Sequence, residues 1–184
     1  MYKQSLTYIY KVEHKKFEYL KIGDKMMSTQ QMFQPELIDL NVAVQNEEEL
    51  FELIAERLQQ AGYVNSGYLE GIKNREKGFP TGLITEYLNI ALPHSDTEYV
   101  ERPFIYVTRT TKPIRVKQMG DNQEMEVRDL FFLGIKDPSK QVGLLQELMV
   151  LFQNEAFVSE FEKTTENEGV FNLFINQWEE VKHG

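Results

Sequence analysis

Residues 75–96 read REKGFPTGLITEYLNIALPHSD, and the organisation of the chain follows from this stretch. Asn89-Ile90-Ala91-Leu92 is a short apolar run of the kind that forms a buried strand, and Pro93 stops it because proline cannot donate to a ladder. His94 therefore stands where a strand gives way to a loop, a position in which a rigid scaffold can hold a reactive side chain. Pro80-Thr81-Gly82 marks a turn ahead of the strand, and Arg75 precedes that turn. Of the three histidines, His14, His94 and His183, only His94 lies in such a context.

Upstream of the stretch, residues 66–77 have helical periodicity, with Tyr68, Leu69 and Ile72 facing inward, Arg75 and Glu76 on the last turn and Gly78 as the stop. An earlier helix begins behind Asn46, an N-cap followed by Glu47, Glu48 and Glu49 in the first turn, where the helix dipole favours anions. Leu50, Leu53, Ile54, Leu58 and Ala61 recur at helical spacing, and Gly62 ends the run. Residues 37–42 read as a strand before it.

Downstream, residues 104–109 and 127–135 are the clearest strands, the second nearly continuous in apolar residues, as expected of a strand covered on both faces. Residues 114–117, with a turn at 119–122, predict a shorter edge strand or hairpin between them. Asp137-Pro138-Ser139 reads as an N-cap with proline at the first helical position, opening an amphipathic helix through Phe152. Two shorter helices near 155–162 and 169–177 precede a polar tail ending in His183. Strands interleaved with helices predict an α/β (α+β) layer fold.

Residues 1–25 differ from the rest. Lys3, Lys11, Lys15, Lys16, Lys21 and Lys25 stand against only Glu13, Glu18 and Asp24, although the whole chain carries a net charge of −9. Residues 6–12 and 17–22 alternate loosely and predict a small hairpin, which alone would be marginally stable. The expected organisation is a peripheral or poorly ordered extension over residues 1–34 and one domain over 35–181.

Composition narrows the function. A chain of 184 residues has room for one ordinary domain. Its negative charge argues against nucleic-acid binding, which is driven by cations that displace counterions. The absence of cysteine rules out disulfides, cysteine-ligated zinc and thiol catalysis, and fits a cytoplasmic protein. No apolar run is long enough for a membrane span or a signal peptide, so no direct membrane insertion is expected.

The familiar catalytic arrangements are missing. His94, Ser95 and Asp96 are adjacent and cannot form a nucleophile–base–orienter geometry, and no GxSxG elbow occurs. No HExxH, P-loop or GxGxxG is present, so neither a metal nor a cofactor is expected. What remains is His94 as a lone nucleophile with Arg75 as the motif-borne cation. A neutral imidazole is a good phosphoryl acceptor, and a guanidinium can hold equatorial phosphoryl oxygens in bidentate fashion.

Arg75-Glu76-Lys77, Pro80-Thr81-Gly82 and Ile90-Ala91-Leu92-Pro93-His94, in this order, resemble the enzyme IIA domains of the fructose/mannitol class (type 2) of the bacterial phosphoenolpyruvate-dependent sugar phosphotransferase system. The resemblance spans about residues 35–181 and takes in the Ala61-Gly62-Tyr63-Val64 link and the late helix. It implies a mixed β-sheet flanked by helices on both sides, a phosphotransferase/anion-transport-protein-like sandwich. It also implies that His94 is phosphorylated by the histidine-containing carrier HPr and relays to a sugar-specific IIB component, and so indirectly to a membrane IIC. Arg75 becomes the active-site cation.

Arg75 and His94 are 19 positions apart. That spacing, with EKGFPTG and DPSKQ, most resembles the galactitol-type members. Many members carry a second histidine at the start of the late helix, where this chain has Gln141, and Ser95 replaces a frequent glycine. A regulatory module of the same fold, controlling a partner without sugar flux, is the alternative the resemblance leaves open.

Overall fold

Phe104-Ile105-Tyr106-Val107 and Leu130-Phe131-Phe132-Leu133 are buried without interruption, a pattern only a strand covered on both faces sustains. The computed structural model describes residues 20–22, 25–27, 29–137 and 141–183, with side chains described at 29, 31–137 and 143–178. A two-stranded sheet pairs β1 (Leu20–Ile22) antiparallel with β2 (Lys25–Met27), and α1 (Thr29–Met32) is a single turn. The chain continues through β3 (Phe33–Val42), α2 (Glu47–Gln60), α3 (Tyr68–Gly78), β4 (Gly82–Ile84) and β5 (Asn89–Ala91). After a 3-10 turn at Thr97–Tyr99 come β6 (Phe104–Lys117), β7 (Glu124–Gly134), α4 (Gln141–Phe152), α5 (Glu155–Lys163) and α6 (Asn167–His183).

The main sheet runs β3-β6-β7-β5-β4. It is mixed: β3 is parallel to β6 and β5 to β7, whereas β6 is antiparallel to β7 and β4 to β5. Because side chains alternate along a strand, the two faces receive different residues. Ile105, Val107, Phe131 and Leu133 face one layer with α4, α5 and α6. Phe104, Tyr106, Leu130 and Phe132 face the other, with α2 and α3. The first layer is unusually aromatic: Phe131, Phe152, Phe157, Phe161 and Phe174 pack with centroids 4.9 to 6.5 Å apart. Each buried side chain of this size contributes about 1.5–3 kcal/mol. The expected mixed sheet with helices on both sides is what the chain forms.

The signals at the two ends of α2 act as read. Asn46 Oδ1 accepts the Glu49 N–H, and Gly62 takes φ +73° past the end of α2. Asn154 caps α5 in the same way by accepting the Phe157 N–H.

Four expectations change. Residues 114–117 are not a separate edge strand but the continuation of β6, which absorbs Pro113 at a register shift between Arg109 and Ile114. A turn at Gly120 (φ +92°) and Asn122 (φ 59°) then returns the chain into β7. Gly82, expected at the end of a turn, instead opens the edge strand β4 (Gly82–Ile84), which finds β5 as a partner. The expected polar tail after residue 177 is instead helical backbone, since α6 reaches His183. Finally, Met32 and Phe33, which the sequence reading assigned to the N-terminal extension, are 0 % and 1 % exposed within the α4–α6 layer.

Residues 6–12 of the expected hairpin lie outside the described residues, as do Pro138 and Ser139 of the expected helix cap. Of residues 17–22, only β1 is described.

Candidate active site

Two backbone ladders bring the motif together. α3 ends at Gly78, and a short link leads into β4, whose residues pair Gly82↔Ala91, Leu83↔Ile90 and Ile84↔Asn89 with β5. The Leu92 N–H extends this ladder by donating to the Thr81 carbonyl at 3.3 Å. On its other side β5 runs parallel to β7, and the pairing continues past its end: the Leu133 N–H donates to the Pro93 carbonyl at 2.9 Å, and His94 bridges Leu133. His94 thus sits at the carboxyl end of a parallel strand pair, the edge at which open α/β sheets assemble their sites.

Glycine at position 82 is required by space, not by conformation. A Cβ there would lie 2.6 Å from the Lys117 carbonyl oxygen and 2.7 Å from Met125 Sδ. The Gly82 carbonyl also accepts the Met119 N–H at 2.8 Å, so the β6–β7 hairpin grips the first residue of β4.

His94 is 6 % exposed. Its Nδ1 lies 2.9 Å from the Leu92 carbonyl oxygen. A carbonyl only accepts, so this contact requires the proton on Nδ1 and leaves the lone pair of the neutral ring on Nε2. Burial pushes the imidazole below its ordinary value of 6.5; the Leu92 hydrogen bond opposes this, the Arg75 charge reinforces it and Asp96 opposes it. The outcome is a ring that is neutral at pH 7.

Arg75 is half-buried on the last turn of α3, with its guanidinium carbon 4.4 Å from the centroid of the exposed Phe79 ring. Its charge adds to burial in lowering the His94 imidazole. The two motif residues 19 positions apart therefore share one electrostatic environment.

Sequence reasoning missed Glu76. It is 5 % exposed, and its Oε1 accepts the Thr81 N–H at 2.7 Å while Oε2 accepts the Thr81 hydroxyl at 2.9 Å. Burial raises its carboxyl, and the Thr81 hydrogen bonds and the Arg75 charge pull it back. The signal was present: an acid and a threonine five positions apart across a helix end, able to clamp the turn. Behind Glu76 lies a cavity of about 380 Å³ walled by Glu47, Lys73, Lys77, Arg115 and Lys117 among others. Glu47 Oε1 is buried there without a hydrogen-bond partner, and its carboxyl is pushed up to about 7 by burial and by Glu76, against the pull of Lys117.

Gln141 is the first residue of α4, reached from the β7 end that bridges His94. Its side chain lies outside the described residues, as do His14 and the side chain of His183. Among the described residues, no group of three or more potential ligands could hold a metal ion, and no helix is long and apolar enough to cross a membrane.

Comparison with known proteins agrees with this geometry. The galactitol-specific EIIA component of Escherichia coli K12 is 27% identical over 110 residues, covering 60% of this chain and 73% of that protein. The transcriptional regulator ManR of Bacillus subtilis is 26% identical over 153 residues, covering 79% of this chain but only 22% of the regulator. In fold, the chain matches the E. coli mannitol enzyme IIA solved in complex with phosphorylated enzyme IIB, at TM-score 0.64 and 22% identity over 78% of this chain and 99% of that one. Residues 31–177 match the family model for the phosphoenolpyruvate-dependent sugar phosphotransferase system, EIIA 2. With its motif histidine, arginine and mixed sheet arranged as described, the chain belongs to that EIIA 2 family of phosphotransferase-system components.

Proposed function

We propose that the chain is a phosphocarrier that takes a phosphoryl group from phospho-HPr onto His94 Nε2 and passes it to a IIB component serving uptake of a galactitol-like polyol. The observation that carries this reading is the Nδ1–H···Leu92 hydrogen bond, which puts the nucleophilic lone pair on Nε2 of a ring kept neutral by burial. In transfer, the Nε2 lone pair forms a P–N bond as the donor's P–N bond breaks, and the proton stays on Nδ1. Little else is asked of the protein than in-line positioning and neutralisation of the equatorial oxygens. Arg75 supplies that charge in its planar fork. Gln141, at the head of α4, takes the place of a second histidine and offers an amide that cannot titrate.

Domain organisation follows the same reading: a catalytic domain that ends near residue 181 and an N-terminal extension without a part in transfer. The site operates in the cytoplasm, where both protein partners are found.

The test is a relay. The chain is charged with phosphoenolpyruvate, enzyme I and HPr, separated, and then offered to IIB components of polyol and hexose systems. Transfer to a galactitol-type IIB, abolished by His94→Gln, is expected. Efficient charging with no discharge to any IIB would favour the second reading, a regulatory module, which the likeness to ManR over 79% of this chain supports.

A further inference from the structure

We propose that Glu76 is a positioning residue for His94, acting through a chain of hydrogen bonds that runs from its carboxylate to the imidazole. This rests on His94 being the phosphoryl acceptor. Glu76 holds both donors of Thr81, the N–H at 2.7 Å and the hydroxyl at 2.9 Å. The Thr81 carbonyl accepts the Leu92 N–H at 3.3 Å, and the Leu92 carbonyl accepts the His94 Nδ1–H at 2.9 Å. Each link ends on the residue that begins the next, Thr81 and then Leu92, so where Glu76 holds Thr81 bears on the orientation of the Leu92 carbonyl through the backbone of these two residues.

The surroundings leave this clamp in control of the link. Pro93, between Leu92 and His94, has a fixed φ and stiffens the last step. Gly82, next to Thr81, has no room for a side chain against the Lys117 carbonyl and Met125, and its own carbonyl accepts the Met119 N–H. On the near side Phe79 is 66 % exposed, and burial of the link begins at Pro80. A buried carboxylate is costly unless its acceptor sites are filled, and here Thr81 fills them. Its consequence at the ring is chemical: a fixed Leu92 carbonyl keeps the proton on Nδ1 and the lone pair on Nε2. A mobile one would let the tautomers exchange and spend part of the population with the proton on the attacking nitrogen.

The experiment uses the full chain, unphosphorylated and 15N-labelled, with the imidazole tautomer of His94 read from long-range 15N–1H spectra above pH 7. Wild type is expected to show the single Nδ1–H tautomer. Glu76→Ala is expected to show a mixture, with the saturating rate of phosphoryl acceptance from phospho-HPr reduced roughly 10–100-fold, as for misplacement of a reacting group. The donor concentration giving half the maximal rate should not move. Glu76→Gln retains an acceptor oxygen, and Thr81→Ser retains both donors; both should restore the tautomer and the rate. Should Glu76→Ala fail to fold, Glu76→Asp carries the same test, since it keeps the charge but withdraws it by one methylene.

A folded Glu76→Ala or Glu76→Asp protein with one Nδ1–H tautomer and an unchanged saturating rate would overturn the proposal. The tautomer comparison needs no phosphate. If wild type placed no phosphate on His94, the acceptor reading would fall, while the spectra would still decide for or against Glu76.

Discussion

A histidine that accepts a phosphoryl group at neutral pH needs a lone pair on the correct nitrogen and a cation close enough to receive charge without protonating it. In the proposed reading, His94 meets the first need through Leu92 and Arg75 is offered for the second; burial first, and then the Arg75 charge, lower the ring below its ordinary value. Arg75→Lys keeps the charge but loses the fork. Losing a charge-assisted hydrogen bond of about 1.5–3 kcal/mol should slow phosphoryl acceptance about 10–100-fold. The melting temperature should stay put, because Arg75 is only half-buried at a helix end. Rapid-quench kinetics with phospho-HPr check this, and wild-type rates would show that no bidentate contact forms.

Glu47 provides a second residue-scale test, through stability. Its folded value of about 7 lies above the ordinary carboxyl value of 4.5. The folded state therefore binds this proton more tightly than the unfolded chain. The contribution to stability is complete below about pH 4.5 and is lost as pH rises through about 7. Glu47→Gln should remove that slope, gaining up to about 3 kcal/mol relative to wild type between pH 5 and pH 8, reduced by the helix dipole that favours an anion at this position. Urea unfolding at the two pH values measures it. Parallel curves for the two proteins would mean that the carboxyl is solvated and titrates normally.

At the scale of elements, the site is a product of pairing. β4 has three residues and no strong strand signal of its own, and it becomes a strand only because β5 offers an edge and the β6–β7 hairpin grips Gly82. That is why Gly82 read as turn and residues 83–84 carried no strand signal, while 89–92, bounded by Pro93, were legible. The same logic explains β6. Pro113 suggests a break, yet a bulge lets one long strand pass through it, and no local pattern announces which outcome tertiary pairing will choose.

The N-terminal boundary was obscured for a related reason. Met32 and Phe33 become core residues only when β3 lies beside β6 and α6 covers them, with Phe33 packed on Phe174 at 5.0 Å. Deleting residues 1–26 should leave folding and phosphorylation intact. Deleting residues 1–33 removes two fully buried side chains, at about 2–5 kcal/mol each, which approaches the whole stability of a domain. Thermal melts of the two truncations separate these cases. Equal melting temperatures would place Met32 and Phe33 outside the cooperative core.

At the scale of the molecule, the sheet separates two hydrophobic layers, and polar residues tie its strands to the helices. Arg109 Nε donates to Asp129 Oδ1 at 2.7 Å across the β6–β7 pair, and its remaining nitrogens donate to the Phe161 and Thr164 carbonyls at the end of α5. Burial raises the Asp129 carboxyl, and Arg109 pulls it back. Asp129→Ala would strand a buried guanidinium and should cost about 3–5 kcal/mol, with the rate of phosphoryl acceptance per folded molecule unchanged. Calorimetry and active-site titration together check this; a variant as stable as wild type would show that the carbonyls alone satisfy Arg109.

Layers, the Asn46 cap and the strand end at His94 were legible in the sequence because each depends on spacing within a few residues. The Arg109–Asp129 tie was not, because it joins positions 20 apart; the Glu76–Thr81 pair left a local signal, an acid and a threonine five positions apart, whose meaning appears only when Thr81 meets Leu92. Phosphate placement tests the whole account most directly. After charging by phosphoenolpyruvate, enzyme I and HPr, digestion at alkaline pH and mass spectrometry should find a single acid-labile phosphate on the peptide containing His94. The same treatment of His94→Ala should find none. Phosphate on His14 or His183 instead, or undiminished uptake by His94→Ala, would contradict it.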